Sequence, residues 1–141
     1  MADIKKIAKK YQILMCEDVR QEVGNKFSLM GLYSGEIIVN KLPSFIRSLA
    51  FVLMLEDVLK SFKKISAKLF LPGEKKPLEI LIEQPAESKS FKNRNIIVGF
   101  SPIRIEKTGT ATVQFRFDDD KRPKYSYKFK ISVAGEKSGK S

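Results

Sequence analysis

Between Val113 and Ile131 the chain alternates apolar and polar residues with a period of two. Val113, Phe115 and Phe117 form one series, and Tyr125, Tyr127, Phe129 and Ile131 form the next, with Asp118 to Pro123 between them. A β-strand sends successive side chains to opposite faces, so this pattern predicts two half-buried strands joined by a hairpin loop. The same texture runs back through the sequence. Strands are expected over Tyr11 to Val23, Phe27 to Tyr33, Glu36 to Val39, the purely apolar Leu49 to Leu55, Ile65 to Leu71, Leu78 to Ile82, Ile96 to Phe100 and Ile103 to Ile105. Pro72-Gly73-Glu74-Lys75 supplies a turn, and Ser101-Pro102 marks an edge strand or bulge. The chain of 141 residues suits a single domain. The expected fold is all-β, an antiparallel sandwich of about 7–9 strands.

Local readings fill in this scheme. A three-residue loop, Gly24-Asn25-Lys26, sets Val23 opposite Phe27 and Gln21 opposite Leu29. Residues 1–10 form a basic arm in which Ile4, Ile7, Ala8 and Tyr11 have helical spacing, so a short N-terminal helix is the alternative to a solvated arm. Pro43 to Ser48 reads as one helical turn. Leu55, Val58, Leu59, Phe62 and Ile65 also follow a helical period, but a connecting loop is preferred because Ile65, Ala67, Leu69 and Leu71 alternate as a strand does. The domain is therefore placed at 11–133, followed by a flexible tail at 134–141.

Composition narrows the chemistry. Lys and Arg number 27 against 16 Asp and Glu, a net charge of +11, and histidine is absent. The ends contribute little: residues 1–10 carry +3 and 134–141 carry +1. Most of the charge thus belongs to the folded body, where it attracts polyanions and acidic proteins. Without histidine, Ser-His-Asp, Cys-His and histidine-metal arrangements are excluded. Cys16 is the single cysteine, flanked by Ile13, Leu14 and Met15, which predicts an inert buried thiol. Asp118, Asp119 and Asp120 form the best metal candidate, but Lys121 and Arg122 follow at once and favour a solvated turn. No cofactor, no metal and no enzymatic activity are expected. No run is long and apolar enough for a membrane-spanning helix, and a cytoplasmic setting is expected.

Over Cys16 to Tyr33 the sequence reads Cys-Glu-Asp-Val-Arg-Gln-Glu-Val-Gly-Asn-Lys-Phe-Ser-Leu-Met-Gly-Leu-Tyr. An acidic pair before Val-Arg, followed by Glu-x-Gly-x-Lys-x-Ser-Leu-x-Gly-x-Tyr, resembles a bacterial family of small β-sandwich domains of unknown function. The resemblance implies a bacterial or phage origin and an immunoglobulin-like sandwich, and brings no activity with it. Glu17, Asp18, Arg20, Gly24, Lys26, Gly31 and Tyr33 carry it. A structural role is preferred for them: Gly24 in a tight turn, Gly31 at a bulge or close approach, and Glu17, Asp18 and Arg20 pairing locally.

If Tyr125, Tyr127, Phe129 and Ile131 face the core, then Lys124, Ser126, Lys128 and Lys130 face outward, joined by Thr112, Gln114 and Arg116. Together with Lys89, Lys92 and Arg94 in the polar segment 83–95, these residues are the candidates for binding a polyanion or a partner. Lysines on an outer strand also protect an edge. The expected function is a non-catalytic binding or accessory module that contacts another protein. Sequence-independent nucleic-acid binding is the first alternative, and attachment to an anionic membrane surface the second. No small-molecule substrate is inferred.

Overall fold

The structure, a computed structural model, describes residues 7–24, 26–83 and 93–135. Eleven strands occupy them: β1 (Ala8–Glu22), β2 (Lys26–Tyr33), β3 (Glu36–Val39), β4 (Ser44–Ile46), β5 (Leu49–Val58), β6 (Lys64–Phe70), β7 (Leu78–Glu83), β8 (Arg94–Phe100), β9 (Ile103–Ile105), β10 (Gly109–Phe117) and β11 (Tyr125–Val133). The fold is all-β, as the alternation requires, but it has eleven strands among the described residues where about 7–9 were expected, one of the additional ones being β4, which was expected as a helical turn. A four-stranded sheet in the order β2-β1-β5-β8 faces a five-stranded sheet in the order β3-β11-β10-β6-β7, and β4 and β9 form a separate two-stranded ribbon. All pairings are antiparallel except β3 with β11.

The two large sheets meet through the apolar residues of their alternating strands. Phe51 of β5 packs edge-on against Phe100 of β8, with ring centroids 6.1 Å apart, and lies 5.8 Å from Phe129 of β11 in the facing sheet. Tyr11 and Tyr125 meet across the same seam at 4.3 Å. The predicted inward series Ile65, Ala67, Leu69 and Leu71, like Val113, Phe115 and Phe117, is buried in this core. No polar or charged residue among those described is buried with it, so its stability rests on apolar burial and dispersion.

Several local expectations are corrected. Ala8, Lys9 and Lys10 belong to β1, so the part of the basic arm within the described residues is strand and not helix. Tertiary bonds explain this: Leu59 N–H donates to the Ile7 carbonyl (2.7 Å), and Ala8 N–H donates to the Tyr125 hydroxyl (3.3 Å). The helical turn expected over Pro43 to Ser48 is instead strand β4, paired with β9 through Ser44–Ile105, Phe45–Arg104 and Ile46–Ile103. The helical spacing from Leu55 to Ile65 arises because β5 continues to Val58 and the following connection drops Phe62 into the core, edge-on to Phe117 at 4.9 Å. The preferred loop therefore exists, but it is confined to residues 59–63.

The first hairpin has its three-residue loop, displaced by one position. Glu22 pairs with Lys26, Gln21 with Phe27 and Val19 with Leu29. Relative to the expected pairing the register slips by two residues, which leaves every side chain on its predicted face because the strand period is two.

Phe51 touches aromatic partners in both sheets, so it offers a direct test of how they are joined. Phe51→Ala is expected to cost about 3–5 kcal/mol of unfolding free energy in a urea titration. A loss below about 1 kcal/mol would contradict the packing.

Candidate functional site at the root of a folded-back hairpin

β1 is 15 residues long, and its two neighbours divide it. β5 pairs with Ala8 to Cys16, and β2 pairs with Met15 to Glu22. The β1–β2 hairpin beyond Cys16 therefore leaves the plane shared with β5 and β8. In register, Tyr11 aligns with Leu55, and Leu55 with Arg94. A straight β1 would carry Glu22 roughly 36 Å from that row. Instead Gln21, Glu22, Lys26 and Phe27 line one groove with Asn93, Arg94, Asn95 and Ile97. The hairpin has folded back over the outer face of its own sheet.

The bend falls at Glu17 and Gly31. Cys16 pairs with Leu32 and Asp18 with Met30, while Glu17 and Gly31 between them leave the ladder. Gly31 has φ 69°, and a Cβ there would come within 2.6 Å of the Glu17 side chain. Only glycine admits both the conformation and the overlying carboxylate. Ser48 Oγ fastens the bend by donating to the Glu17 carbonyl at 2.7 Å. Beneath the hairpin, Cys16, Ala50 and Val52 are buried yet lie outside the main core cluster, and Val19, Phe27 and Leu29 of the hairpin are partly buried. These residues make a small second apolar layer. Burial raises the Cys16 thiol above its usual range, against a lowering hydrogen bond to the Asp18 carbonyl. The thiol thus stays protonated and unreactive at neutral pH.

Four of the seven residues carrying the resemblance converge here. Glu17, Asp18, Arg20 and Tyr33 line a cleft of about 410 Å³ at the hairpin root, together with Met30, Ile46, Arg47 and Ser48. Glu17, Asp18 and Arg20 do not form the ion pairs with one another that were expected; Arg104 instead pairs with Glu106, and Lys124 with Asp120. Asp18 Oδ1 accepts from Val19 N–H at 2.9 Å. Gly24, with φ 91°, takes the turn position predicted for it, and Lys26 faces Glu22 across the hairpin. Nothing in the linear sequence joins Ile46, Arg47 and Ser48 to this site, since the contact spans 31 residues.

The basic candidates are divided between elements. Lys128 and Lys130 are exposed on β11, and Arg116 is half-buried on β10 with its Nε buried and without a hydrogen-bond partner. Lys130 lies beside Glu36, and Lys68 opposite Glu79. Lys124 precedes β11; its side chain is only 13% exposed, and its Nζ is 3.5 Å from Asp120 Oδ2. Arg94 stands in the other sheet, its guanidinium 4.9 Å from the centre of the Phe62 ring. Lys89 and Lys92 lie outside the described residues.

Asp118 has a backbone task. With φ 54°, it accepts from Lys63 N–H (2.8 Å) and Lys64 N–H (3.1 Å), capping the start of β6. Asp119 follows in the same turn, and among the described residues no group of three or more metal-ligating side chains is placed to hold an ion.

These features define an all-β domain of two facing sheets with a hairpin turned back over one of them. The chain belongs to a family of unknown function, DUF6941, whose sequence profile matches residues 12–137 and so includes the hairpin beyond the first residues of β1. No curated protein and no solved structure matches the chain.

Two substitutions probe this geometry. Gly31→Val is expected to lower stability by about 1–3 kcal/mol and to speed labelling of Cys16 by a thiol reagent under native conditions; unchanged labelling would mean the hairpin does not shield the thiol. Asp118→Ala should cost about 1–3 kcal/mol by orphaning two amides, with Asp118→Asn much milder because asparagine tolerates positive φ. Equal losses for the two variants would contradict the capping role.

Proposed function

We propose that this protein is a non-catalytic binding module that works through protein–protein contacts, with β2 as its docking edge. The carrying observation is the character of that strand. It is an edge of the four-stranded sheet, none of its residues is buried, and Phe27 to Tyr33 contains neither a charge nor a proline. Edge strands are ordinarily blunted by lysine, proline or brevity. Beyond Lys26 at its start this eight-residue strand has none of those devices, and its stretch before the bend at Gly31 suits a partner segment that adds by main-chain pairing. Val23 at the tip is 92% exposed, Leu32 57% and Met30 41%, giving that segment apolar surface to cover.

The occupant favoured by charge is an extended segment of an acidic partner, because a net charge of +11 repels a second copy and steers acidic surfaces inward. The absence of histidine and a thiol held protonated support a non-catalytic reading. The resemblance of residues 16–33 supports a setting in the cytoplasm of a bacterium or among phage-encoded proteins, and no helix among the described residues is long and apolar enough to cross a membrane. Nucleic-acid and anionic-membrane binding rank behind, since Lys68, Lys124 and Lys130 each have an acidic neighbour.

A photo-crosslinking residue placed at Leu32, with Leu81 of the opposite edge strand β7 as control, tests the proposal in the producing cell. One distinct protein is expected to crosslink at Leu32 and not at Leu81, and Leu32→Lys should weaken its purified complex at least about tenfold. Equal crosslinking at both positions would remove β2 as the docking edge. Salt-sensitive DNA or RNA binding lost in Lys128→Glu and Lys130→Glu would favour the polyanion alternative.

A further inference from the structure

The cleft at the hairpin root holds charges of both signs. Glu17, Asp18, Arg20 and Arg47 line it, and none of the four side chains is in an ion pair with any described residue. It is an open depression of about 410 Å³, and all four of these side chains are exposed. A lone anion there would meet two arginines but also two carboxylates, and a lone cation would meet the reverse. A compact ligand carrying both charges satisfies the four groups together.

We propose that this cleft binds a compact zwitterion with an apolar side chain, the chemistry of an apolar α-amino acid. Arg20 and Arg47 take the carboxylate, for which the planar guanidinium is the best-matched donor. Glu17 and Asp18 take the ammonium group. Met30 and Ile46 supply the apolar wall. Tyr33 also lines the cleft, and its phenol, protonated at neutral pH like any tyrosine's, is a hydrogen-bond donor there. Ser48 already donates to the Glu17 carbonyl, holding the bend in position while its oxygen remains able to accept. Because the cleft draws residues from the hairpin and from the segment before β5, a ligand there would also clamp the hairpin to the body. The inference does not rest on β2 as a docking edge, although Met30 borders both surfaces.

The test is a titration of the full chain by calorimetry and amide chemical shifts with L-leucine, L-methionine and L-valine. 4-Methylpentanoate and isoamylamine, which keep the leucine side chain but carry only one charge each, are the controls. At least one amino acid is expected to bind with Kd at or below about 1 mM, shifting the amides of Asp18, Arg20, Tyr33 and Arg47, with both controls at least about tenfold weaker. Arg47→Gln, which removes the guanidinium from an exposed position, and Glu17→Gln, which keeps side-chain size, should each weaken that binding about tenfold or more with unfolding midpoints near wild type. Three outcomes would overturn the proposal: no binding by any of the amino acids, 4-methylpentanoate binding as tightly as leucine, or binding indifferent to both substitutions. Loss of partner crosslinking at Leu32 with amino-acid binding intact would remove the docking edge and leave the cleft standing.

Discussion

Phe51 lies against Phe100 in its own sheet and Phe129 in the facing one, and this contact fixes how the two sheets meet. β5 is apolar on both faces. Its odd-numbered residues, Leu49 to Leu55, enter the seam between the sheets. Its even-numbered residues Ala50 and Val52 point the other way and are nonetheless buried. An apolar outer face at the centre of a sheet demands a cover. The β1–β2 hairpin, bent at Glu17 and Gly31, provides it.

That demand gives the hairpin its two sides. Val19, Phe27 and Leu29 are partly buried, whereas Val23 in the turn and Met30 and Leu32 on the edge strand β2 are exposed. The bend that lays the hairpin down also opens the cleft in which Glu17, Asp18, Arg20 and Tyr33 meet Arg47 and Ser48. A single glycine at positive φ thus links packing, edge and cleft. By contrast, the outer face of the five-stranded sheet is mixed in charge, with Lys130 beside Glu36 and Lys68 opposite Glu79. Such cross-strand pairs favour sheet stability and solubility.

Most strands were legible because a period of two survives any tertiary context: Val113 to Phe117 and Tyr125 to Ile131 alternate in burial as they alternate in chemistry. Even the slipped register of the first hairpin kept its faces. What escaped were features set by distant contacts. Leu55 to Ile65 mimicked a helix because the end of a strand and a loop plug, Phe62, fell at helical spacing. Pro43 to Ser48 became β4 because β9, far along the chain, was there to pair with it. The seven residues of the resemblance were legible as a group, and a structural purpose holds for Gly24 and Gly31. Glu17, Asp18 and Arg20 form no ion pair with one another, although Asp18 accepts from Val19 N–H, and the side chains completing their cleft come from a segment with no local sign of it.

Under the proposal of a binding module, the exposed residues of this hairpin serve contacts outside the fold and not the fold itself. The most direct test is the unfolding free energy of a combined variant, Asp18→Asn, Arg20→Gln, Lys26→Gln and Leu32→Thr, all at exposed positions. The account predicts a change of no more than about 1 kcal/mol from wild type by denaturant titration, as for surface positions without packing duties. A loss of about 3 kcal/mol or more would mean that these residues hold the fold together, and would contradict it.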